Sequence, residues 1–287
     1  MTDCTSVAAI RARLGTERGA SRRIALVPTM GFLHEGHLAL VDAARRTADV
    51  VVMSVFVNPL QFGPGEDFER YPRDLARDRE RARARGVDIL FAPSADEMYS
   101  ASPELRITGA AAADRWEGAV RPGHFDGVLT VVAKLLNIVQ PDVVFFGQKD
   151  IQQVTLVRRM IHELNFPIRF VVVPTVREPD GLAMSSRNVY LTPPERASAL
   201  ALSRALGAVS AQWAGGEDAP EGLLRTATRV LAEAELSADY IAIVDPEQLA
   251  PVARATSGTI IALAVRVGKT RLIDNIILGE PHVQHIG

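Results

Sequence analysis

The chain has 287 residues but only one cysteine, Cys4. A single cysteine cannot form a disulfide within the chain, and it cannot supply a zinc site built from several thiolates. Cys4 is not expected to act as a nucleophile either, because it lies near an N-terminus that we predict to be mobile. The lack of a disulfide framework is typical of a reducing compartment, so we expect a cytoplasmic protein.

Long apolar runs and a strong net charge are also lacking. No uninterrupted apolar run approaches the roughly 20 residues of a membrane span, and the N-terminal stretch lacks the apolar core of a signal peptide. A formal net charge of −2 gives no reason to expect a nucleic-acid partner or a membrane surface. With 47% hydrophobic and 23% charged residues, the chain is expected to form one large globular domain or two smaller ones.

Lysine is scarce among the 32 basic residues, of which only Lys134, Lys149 and Lys269 are not arginine. We attribute this bias to background codon composition, so each lysine poses the question of what an ammonium does there that a guanidinium cannot. Lys134 lies near the middle of a predicted helix and Lys269 in a predicted hairpin turn. We interpret both as structural.

The order of apolar runs predicts the fold. Continuous apolar strands alternate with helical stretches through the first two-thirds of the chain, which indicates a doubly wound, Rossmann-like α/β domain with a parallel sheet. Two helical stretches and three short strands follow, which predicts a smaller α+β domain. We place the boundary near Val176 and expect domains at residues 1–175 and 176–287.

An arginine-rich run, Arg70 to Arg85, also contains Asp74, Asp78 and Glu80 at helical spacing. A solvated helix face with ion pairs explains this pattern better than a phosphate-binding surface does.

Two histidines three residues apart, His34 and His37, occur in the segment PTMGFLHEGH directly after the first apolar strand. Gly31 and Gly36 permit a tight turn, and the helix start that follows favours an anion. Imidazoles at this point can donate hydrogen bonds to phosphate oxygens. The alternatives are a capping histidine beside a surface histidine, or a zinc site, for which no third ligand lies nearby in sequence.

Three further segments follow in order: VFVNPLQFGPGEDFERYPRD, FFGQKDIQQ and REPDGLAMSSRN. With PTMGFLHEGH and the closing TRLIDNI, they make the chain resemble the pantothenate synthetase family of the HxGH nucleotidyltransferase superfamily over almost its whole length. Phe32 departs from the alanine that is more common in this family, and Asp74 from a common threonine. Neither residue has a predicted chemical role.

This resemblance implies an ATP-dependent ligase. ATP and (R)-pantoate would give pantoyl adenylate and pyrophosphate, and β-alanine would then displace AMP to form pantothenate. Such chemistry suits a carboxylate, which is a poor electrophile until it is activated, with Mg²⁺ sharing the phosphate charge. The resemblance also implies a homodimer formed through the N-terminal domain.

The resemblance implies that His37 is the candidate proton donor. The other predicted catalytic residues are His34, Lys149 and Arg187. Lys149 offers a compact charge to phosphate, although it could instead be an exposed lysine at a helix start.

The segment MSSR, Met184 to Arg187, resembles the mobile phosphate-closing loop of related adenylating enzymes, and the guanidinium of Arg187 can donate to phosphate oxygens there. The alternative is a surface linker between domains. Asp150 would accept from a ribose hydroxyl or cap a helix, and the residues favour neither role. The predicted ATP contacts are Met30, Gly31, His34, His37, Gly147, Gln148, Lys149, Asp150, Val176, Met184, Ser185, Ser186 and Arg187.

The resemblance implies that Gln61 and Gln153 contact pantoate, with Gln61 also near β-alanine; without it, each would be an ordinary polar surface residue. We also predict contacts from Asn58, Met30 and Phe62. The two glutamine amides offer both donors and acceptors, which suits a substrate with hydroxyls and a carboxylate. Met30 and Phe62 would pack against the gem-dimethyl group, although Met30 could equally belong to the core. We assign no protein side chain to Mg²⁺.

Three other functions remain as alternatives. A plain nucleotidyltransferase acting on a phosphorylated substrate would call for basic residues in place of Gln61 and Gln153. A tRNA-charging enzyme would need a basic RNA surface. A regulatory module without activity would be free to lose His34, His37, Lys149 and Arg187, all of which are present.

Overall fold

The computed structural model describes residues 1–99 and 105–280. Its contacts divide the chain into two compact units. The first unit consists of Met1–Asp114, Arg121–Gly147 and Leu156–Val173. The second consists of Arg115–Val120, Gln148–Thr155 and Pro174–Gly287. The domain boundary near Val176 stays a prediction.

The first unit contains a six-stranded sheet with the order β1-β4-β3-β2-β5-β6. Every pair of neighbouring strands in it is parallel. Its strands are β1 (Thr2–Cys4), β2 (Ile24–Thr29), β3 (Val50–Val55), β4 (Ile89–Phe91), β5 (Val143–Gly147) and β6 (Arg169–Val173). This order confirms the predicted doubly wound α/β fold, in which β2 lies between β3 and β5 where the winding reverses.

Helices connect these strands and continue into the second unit. In chain order they are α1 (Val7–Gly19), α2 (Glu35–Arg45), α3 (Leu75–Ala84), α4 (Ala95–Met98), α5 (Ala110–Ala113), α6 (Glu117–Val120), α7 (His124–Val139), α8 (Ile151–Glu163), α9 (Pro193–Ala214) and α10 (Pro220–Ala232). Three short 3₁₀ helices are also described, at Pro59–Gln61, Gln148–Asp150 and Ser186–Tyr190. Among the described residues, no helix combines the length and apolar character needed to cross a membrane.

The core of the first unit forms where α2 covers the central strands. Val27 of β2, Met53 of β3 and Phe145 of β5 are fully buried, as is Val41 on the apolar face of α2. Burial of each such side chain contributes roughly 1.5–3 kcal/mol. This core fixes the ends of β2, β3 and β5, from which the predicted site residues extend.

The N-terminal segment is ordered, so the prediction of a mobile terminus is wrong. Cys4 is 4% exposed and pairs with Phe91 at the end of β4. Ser6 then caps α1 by accepting a hydrogen bond from the Ala9 amide. Burial raises the pKa of the Cys4 thiol, which disfavours the reactive thiolate. A strand of only three residues leaves no periodic pattern in the sequence, which is why it was missed.

The second unit has an antiparallel sheet of β7 (Ala238–Val244), β8 (Ile260–Val267) and β9 (Thr270–Ile277), with β8 in the middle. Leu206 of α9 and Leu223 of α10 are fully buried in one core with Leu263 of β8. Thr192 and Glu195 form a capping box at the start of α9. The predicted α+β architecture is confirmed.

Candidate active site

The topology brings several predicted residues to one edge of the first unit. Because β3, β2 and β5 are neighbouring parallel strands, the loops after their carboxyl ends leave from the same side of the sheet. The segment after β2 carries Met30 to His37 and enters α2 at Glu35, the segment after β3 carries Asn58 to Phe62, and Gly147 ends β5. Ligands bind at this edge in doubly wound α/β domains.

His34 and His37 form a stacked pair at the start of α2. Their ring centroids lie 3.9 Å apart with an interplanar angle of 28°, and both residues are half-buried. The His34 backbone N–H donates to Nδ1 of His37 over 3.3 Å. A nitrogen that accepts this bond is unprotonated, so the neutral His37 ring carries its proton on Nε2. His37 can therefore present an Nε2–H donor to an anion.

The segment from Met30 to His37, called the histidine turn below, is held by Asp78 of α3. Its carboxylate accepts from the Phe32 and Leu33 amides, each over 2.7 Å. Gly31 and Phe32 both have positive φ, +84° and +49°, and a Cβ at Gly31 would lie 2.8 Å from Oδ2 of Asp78. The carboxylate thus fixes a turn that only glycine fits at its first left-handed position.

Asp78 corrects the interpretation of the arginine-rich run as a solvated helix face. Its side chain is fully buried, and burial raises the pKa of its carboxyl group although the two amides oppose the shift. Other arginines of the run pair with acidic residues of α2 rather than with acidic residues of the run: Arg81 with Glu35 at 2.6 Å and Arg85 with Asp42 at 2.9 Å. The acidic residue that matters to the histidine turn faces inward.

Gln61 and Met30, predicted from separate motifs, are in contact. Nε2 of Gln61 lies 3.0 Å from the Met30 sulfur. Asn58 is fully buried, and its Nδ2 donates to Oε1 of Gln61 at 3.2 Å and to the Gly127 carbonyl at 3.0 Å. Its Oδ1 accepts from the Tyr99 hydroxyl at 2.8 Å. In the described structure Asn58 orients Gln61, and direct contact of Asn58 with a substrate stays a prediction.

The segment after Gln61 is held by charged residues that sequence reasoning missed. Arg121 donates to both carboxylate oxygens of Glu66, over 2.9 and 2.6 Å, and to the Gln61 carbonyl over 3.2 Å. His124 Nδ1 lies 2.7 Å from that same carbonyl. Burial acts to raise the pKa of the Glu66 carboxyl, but Arg121 holds it below its ordinary value. Phe62 packs here, with its ring centroid 5.3 Å from that of Phe68.

Lys149 lies in the 3₁₀ helix that leads into α8 in the second unit. It is half-buried, and burial lowers the pKa of its ammonium group, an effect to which Arg187 adds and which Asp150 opposes. Asp150 is exposed just before α8, where both of its predicted roles remain open. Gln153 is half-buried in the first turn of α8. A partly buried ammonium suits an anionic ligand.

The neighbouring Gln152 is a structural residue. It is 7% exposed, and its amide accepts from the Glu117 N–H at 3.1 Å and donates to the Arg115 carbonyl at 2.9 Å. These bonds tie α8 to the segment around α6 within the second unit.

The predicted phosphate-closing segment, Met184 to Arg187, follows a narrow hairpin. Val176 accepts from the Met184 amide over 2.9 Å, Arg177 pairs with Ala183, and Gly181 at the tip has φ +94°. Ser185 then caps the 3₁₀ helix Ser186–Tyr190 by accepting from the Arg187 amide over 3.2 Å. The structure thus places Val176 beside Met184 and presents Ser185 to Arg187 on one short element.

The described residues include no group of three or more His, Cys, Asp or Glu side chains arranged to hold a metal ion.

Comparisons with known proteins agree with one another. The family model for pantoate-beta-alanine ligase matches residues 3–277. The pantothenate synthetase of Moorella thermoacetica is 52% identical over 274 residues, which are 95% of this chain and 97% of the relative. That of Geobacter sulfurreducens is 51% identical over 276 residues, covering 96% and 98%.

Solved structures give the same result. Pantothenate synthetase from Thermus thermophilus is 50% identical, with a TM-score of 0.91 and coverage of 96% of this chain and 99% of that one. Pantoate-beta-alanine ligase from Francisella tularensis, complexed with beta-gamma ATP and beta-alanine, is 32% identical with a TM-score of 0.78 and coverage of 99% and 100%.

Proposed function

The chain belongs to the pantoate-beta-alanine ligase family, and from this premise we propose that it joins (R)-pantoate to β-alanine through a pantoyl adenylate, with release of AMP and pyrophosphate. The main support for the adenylation step is the geometry of the histidine turn. It presents an Nε2–H donor at a helix start on the ligand-binding edge of a doubly wound sheet. The relative from Francisella tularensis, which binds an ATP compound and β-alanine, supports these substrates.

In the first step, a pantoate carboxylate oxygen attacks the α-phosphorus of ATP, and the bond to the bridging oxygen of pyrophosphate breaks. Negative charge builds on the leaving pyrophosphate. His34, His37, Lys149 and Arg187 supply the donors and positive charge for these oxygens. Gln61, held by Asn58, orients the acid, and Gln153 binds its hydroxyls or carboxylate.

In the second step, the neutral amine of β-alanine attacks the activated carbonyl carbon, the single bond between that carbon and the AMP oxygen breaks, and the amine gives up one proton to solvent. No new phosphate charge has to be stabilised at this stage, so the residues around the triphosphate contribute less. Positioning of the amine by Gln61 matters more.

Mg²⁺ enters this proposal with the nucleotide. It requires oxygen ligands and retains several waters, so triphosphate oxygens suit it better than an all-protein cage does. When bound, it neutralises charge on the phosphates.

The presence of neutral amides rather than basic side chains at Gln61 and Gln153 favours the ligase over a nucleotidyltransferase acting on a phosphorylated substrate. The side chain of Gln61 contacts a thioether and an amide, and the nearby Arg121, which donates to the Gln61 carbonyl, is already paired with Glu66. Such surroundings suit hydroxyls and a single carboxylate better than a phosphate group.

Pyrophosphate–ATP exchange tests the proposal. We expect exchange of labelled pyrophosphate into ATP that requires pantoate but not β-alanine. Exchange that occurs without any acid, or only with a phosphorylated substrate, would overturn the proposal.

We further propose that the protein is a homodimer formed through its first unit, as the family resemblance implies. Sedimentation velocity should then give a mass twice the 31.1 kDa of the chain. A monomer at micromolar concentration would contradict this.

A further inference from the structure

The closing motif TRLIDNI belongs to β9 and has no role in the chemistry proposed above. Two of its polar residues, Asp274 and Asn275, are only 3% and 2% exposed. Successive strand residues point to opposite faces of a sheet, so these two side chains reach different neighbours. We propose that Asp274 and Asn275 position the two segments of the second unit that are proposed to contact phosphate, Gln148–Asp150 and residues 184–187. In this proposal, Asn275 fixes the backbone from which the Lys149 side chain extends. This inference rests on the proposed function.

Asn275 binds the segment that carries Lys149. Its Nδ2 donates to the Gln148 carbonyl over 3.0 Å and to the Lys149 carbonyl over 2.8 Å. Its Oδ1 accepts from Nε2 of Gln148 over 3.3 Å. The two amide hydrogens of Asn275 are thus donated to two successive backbone carbonyls. Only a side chain of this length that carries two donor hydrogens on one atom can make both bonds.

Asp274 holds the other segment through Arg177. The guanidinium donates to both carboxylate oxygens, over 2.6 and 3.0 Å, and also to the Gly181 carbonyl over 3.2 Å. The two partners form a buried ion pair with 3% and 2% of their side chains exposed. Because Arg177 belongs to the hairpin that leads directly into Met184, this pair ties the base of the phosphate-closing segment to β9.

The consequence for Lys149 follows from its long side chain. An ammonium on a flexible four-carbon stem is placed accurately only if its backbone is fixed, and an error of about 1 Å in a catalytic group can cost about 100-fold in rate. The carbonyl bonds from Asn275 provide that fixed backbone. The Asp274 carboxylate also favours the charged form of Lys149, against the effect of burial.

Asn275→Asp tests the inference because it keeps the shape of the side chain but replaces both donors with a carboxylate that repels the two carbonyls. We expect kcat/KM for ATP in pyrophosphate exchange to fall about 10- to 100-fold, while pantoate binding without nucleotide changes less than twofold. Ile276→Val is the matched control. It removes one methyl group from the next residue of the same strand, which is 3% exposed and packs in the hydrophobic core of the second unit, and it should leave exchange within twofold of the unsubstituted enzyme.

Lysine labelling gives a readout that is independent of activity. The chain has only Lys134, Lys149 and Lys269, so an acylating reagent read by mass spectrometry reports each one separately. Without substrates, Asn275→Asp should change the pH profile of Lys149 labelling relative to the other two lysines, and Ile276→Val should not. Should Asn275→Asp fail to fold, Asn275→Ser, which cannot reach both carbonyls, is measured in the same way.

The outcomes separate the two proposals. If ATP does not protect Lys149 from labelling in the unsubstituted enzyme, the proposed nucleotide site is wrong. If ATP does protect it, but Asn275→Asp leaves both the labelling profile and exchange unchanged, the positioning role of Asn275 is overturned.

Discussion

At the scale of single residues, the proposed chemistry depends on which nitrogen of His37 carries the proton. The His34 amide donates to Nδ1 of His37, so the ring offers Nε2–H to a ligand. The stacked rings lie only 3.9 Å apart, and two positive rings at that distance would repel each other. The arrangement is suited to donating a hydrogen bond from Nε2 of His37 to a phosphate oxygen.

Two substitutions of His37 separate its two nitrogens. In His37→Asn the amide oxygen can take the place of Nδ1 and keep the bond from the His34 amide, but the donor at Nε2 is lost. In His37→Gln an amide N–H can reach the Nε2 position. We expect His37→Asn to slow pyrophosphate exchange by the roughly 10²–10³-fold that is typical of losing a transition-state donor, and His37→Gln to lose about tenfold less.

The rate from preformed pantoyl adenylate is the control for these variants. It should fall by much less than exchange does, because no pyrophosphate leaves in that step. Equal exchange rates for His37→Asn and His37→Gln would show that Nε2 is not the functional nitrogen.

The lowered pKa of Lys149 predicts proton uptake when ATP binds. Between that lowered value and the ordinary 10.5, the folded chain binds fewer protons than the unfolded chain, so the free energy of unfolding rises with pH through this window. A triphosphate favours the charged ammonium and should restore the missing proton. Calorimetry of ATP binding at alkaline pH, in two buffers with different heats of ionisation, measures the uptake.

Lys149→Arg is the matched control because a guanidinium keeps its charge over this pH range. Its ATP binding should show no such proton uptake, and its exchange should be impaired because the planar group is bulkier. Uptake that persists unchanged in Lys149→Arg would assign the proton to another group.

At the scale of elements, the sequence predicts helices, strands and turns formed by neighbouring residues, but it does not predict contacts between residues far apart in the chain. The apolar periodicity predicts β2, α2 and the long α9, and the glycine-bounded turn predicts that His34 and His37 share a helix start. Residues that support the site from far along the chain carry no such pattern. Asp78 lies more than forty positions from the Phe32 and Leu33 amides that it holds, and only the fold brings these groups together.

Close packing of the 3₁₀ helix Pro59–Gln61 on α7 gives a prediction for Gly127. A Cβ at this position would lie 2.2 Å from the Leu60 carbonyl oxygen and 2.6 Å from the Gln61 amide nitrogen, and neither backbone atom can give way without moving the 3₁₀ helix. We expect Gly127→Ala to lower the free energy of unfolding by roughly 1–3 kcal/mol, and to weaken pantoate binding through displacement of Gln61.

Gly15→Ala in α1 is the matched control for urea unfolding. A Cβ at Gly15 has nothing within 4 Å, so the substitution should stabilise the protein by about 0.5–1 kcal/mol through helix propensity. Similar stability changes for both variants would show that the contact between α7 and the 3₁₀ helix Pro59–Gln61 is not tight.

At the scale of the whole molecule, the predicted residues are divided between two units. The first carries the histidine turn and Gln61, and the second carries Lys149, Gln153 and the segment from Met184 to Arg187. Family-wide motifs made this set predictable from sequence, whereas the assignment of the Lys149 segment to the second unit depends on long-range bonds such as those from Asn275. Each unit therefore contributes its own share of the proposed phosphate chemistry.

Transfer of a labelled oxygen tests the central claim, which is that the pantoate carboxylate is adenylated. With pantoate labelled with ¹⁸O in both carboxylate oxygens, attack on the α-phosphorus leaves one labelled oxygen bridging carbon and phosphorus. This oxygen departs with AMP when β-alanine attacks. Mass spectrometry should find one ¹⁸O in each AMP and one in each pantothenate. Label found in inorganic phosphate, with ADP as the nucleotide product, would indicate an acyl phosphate and contradict the account.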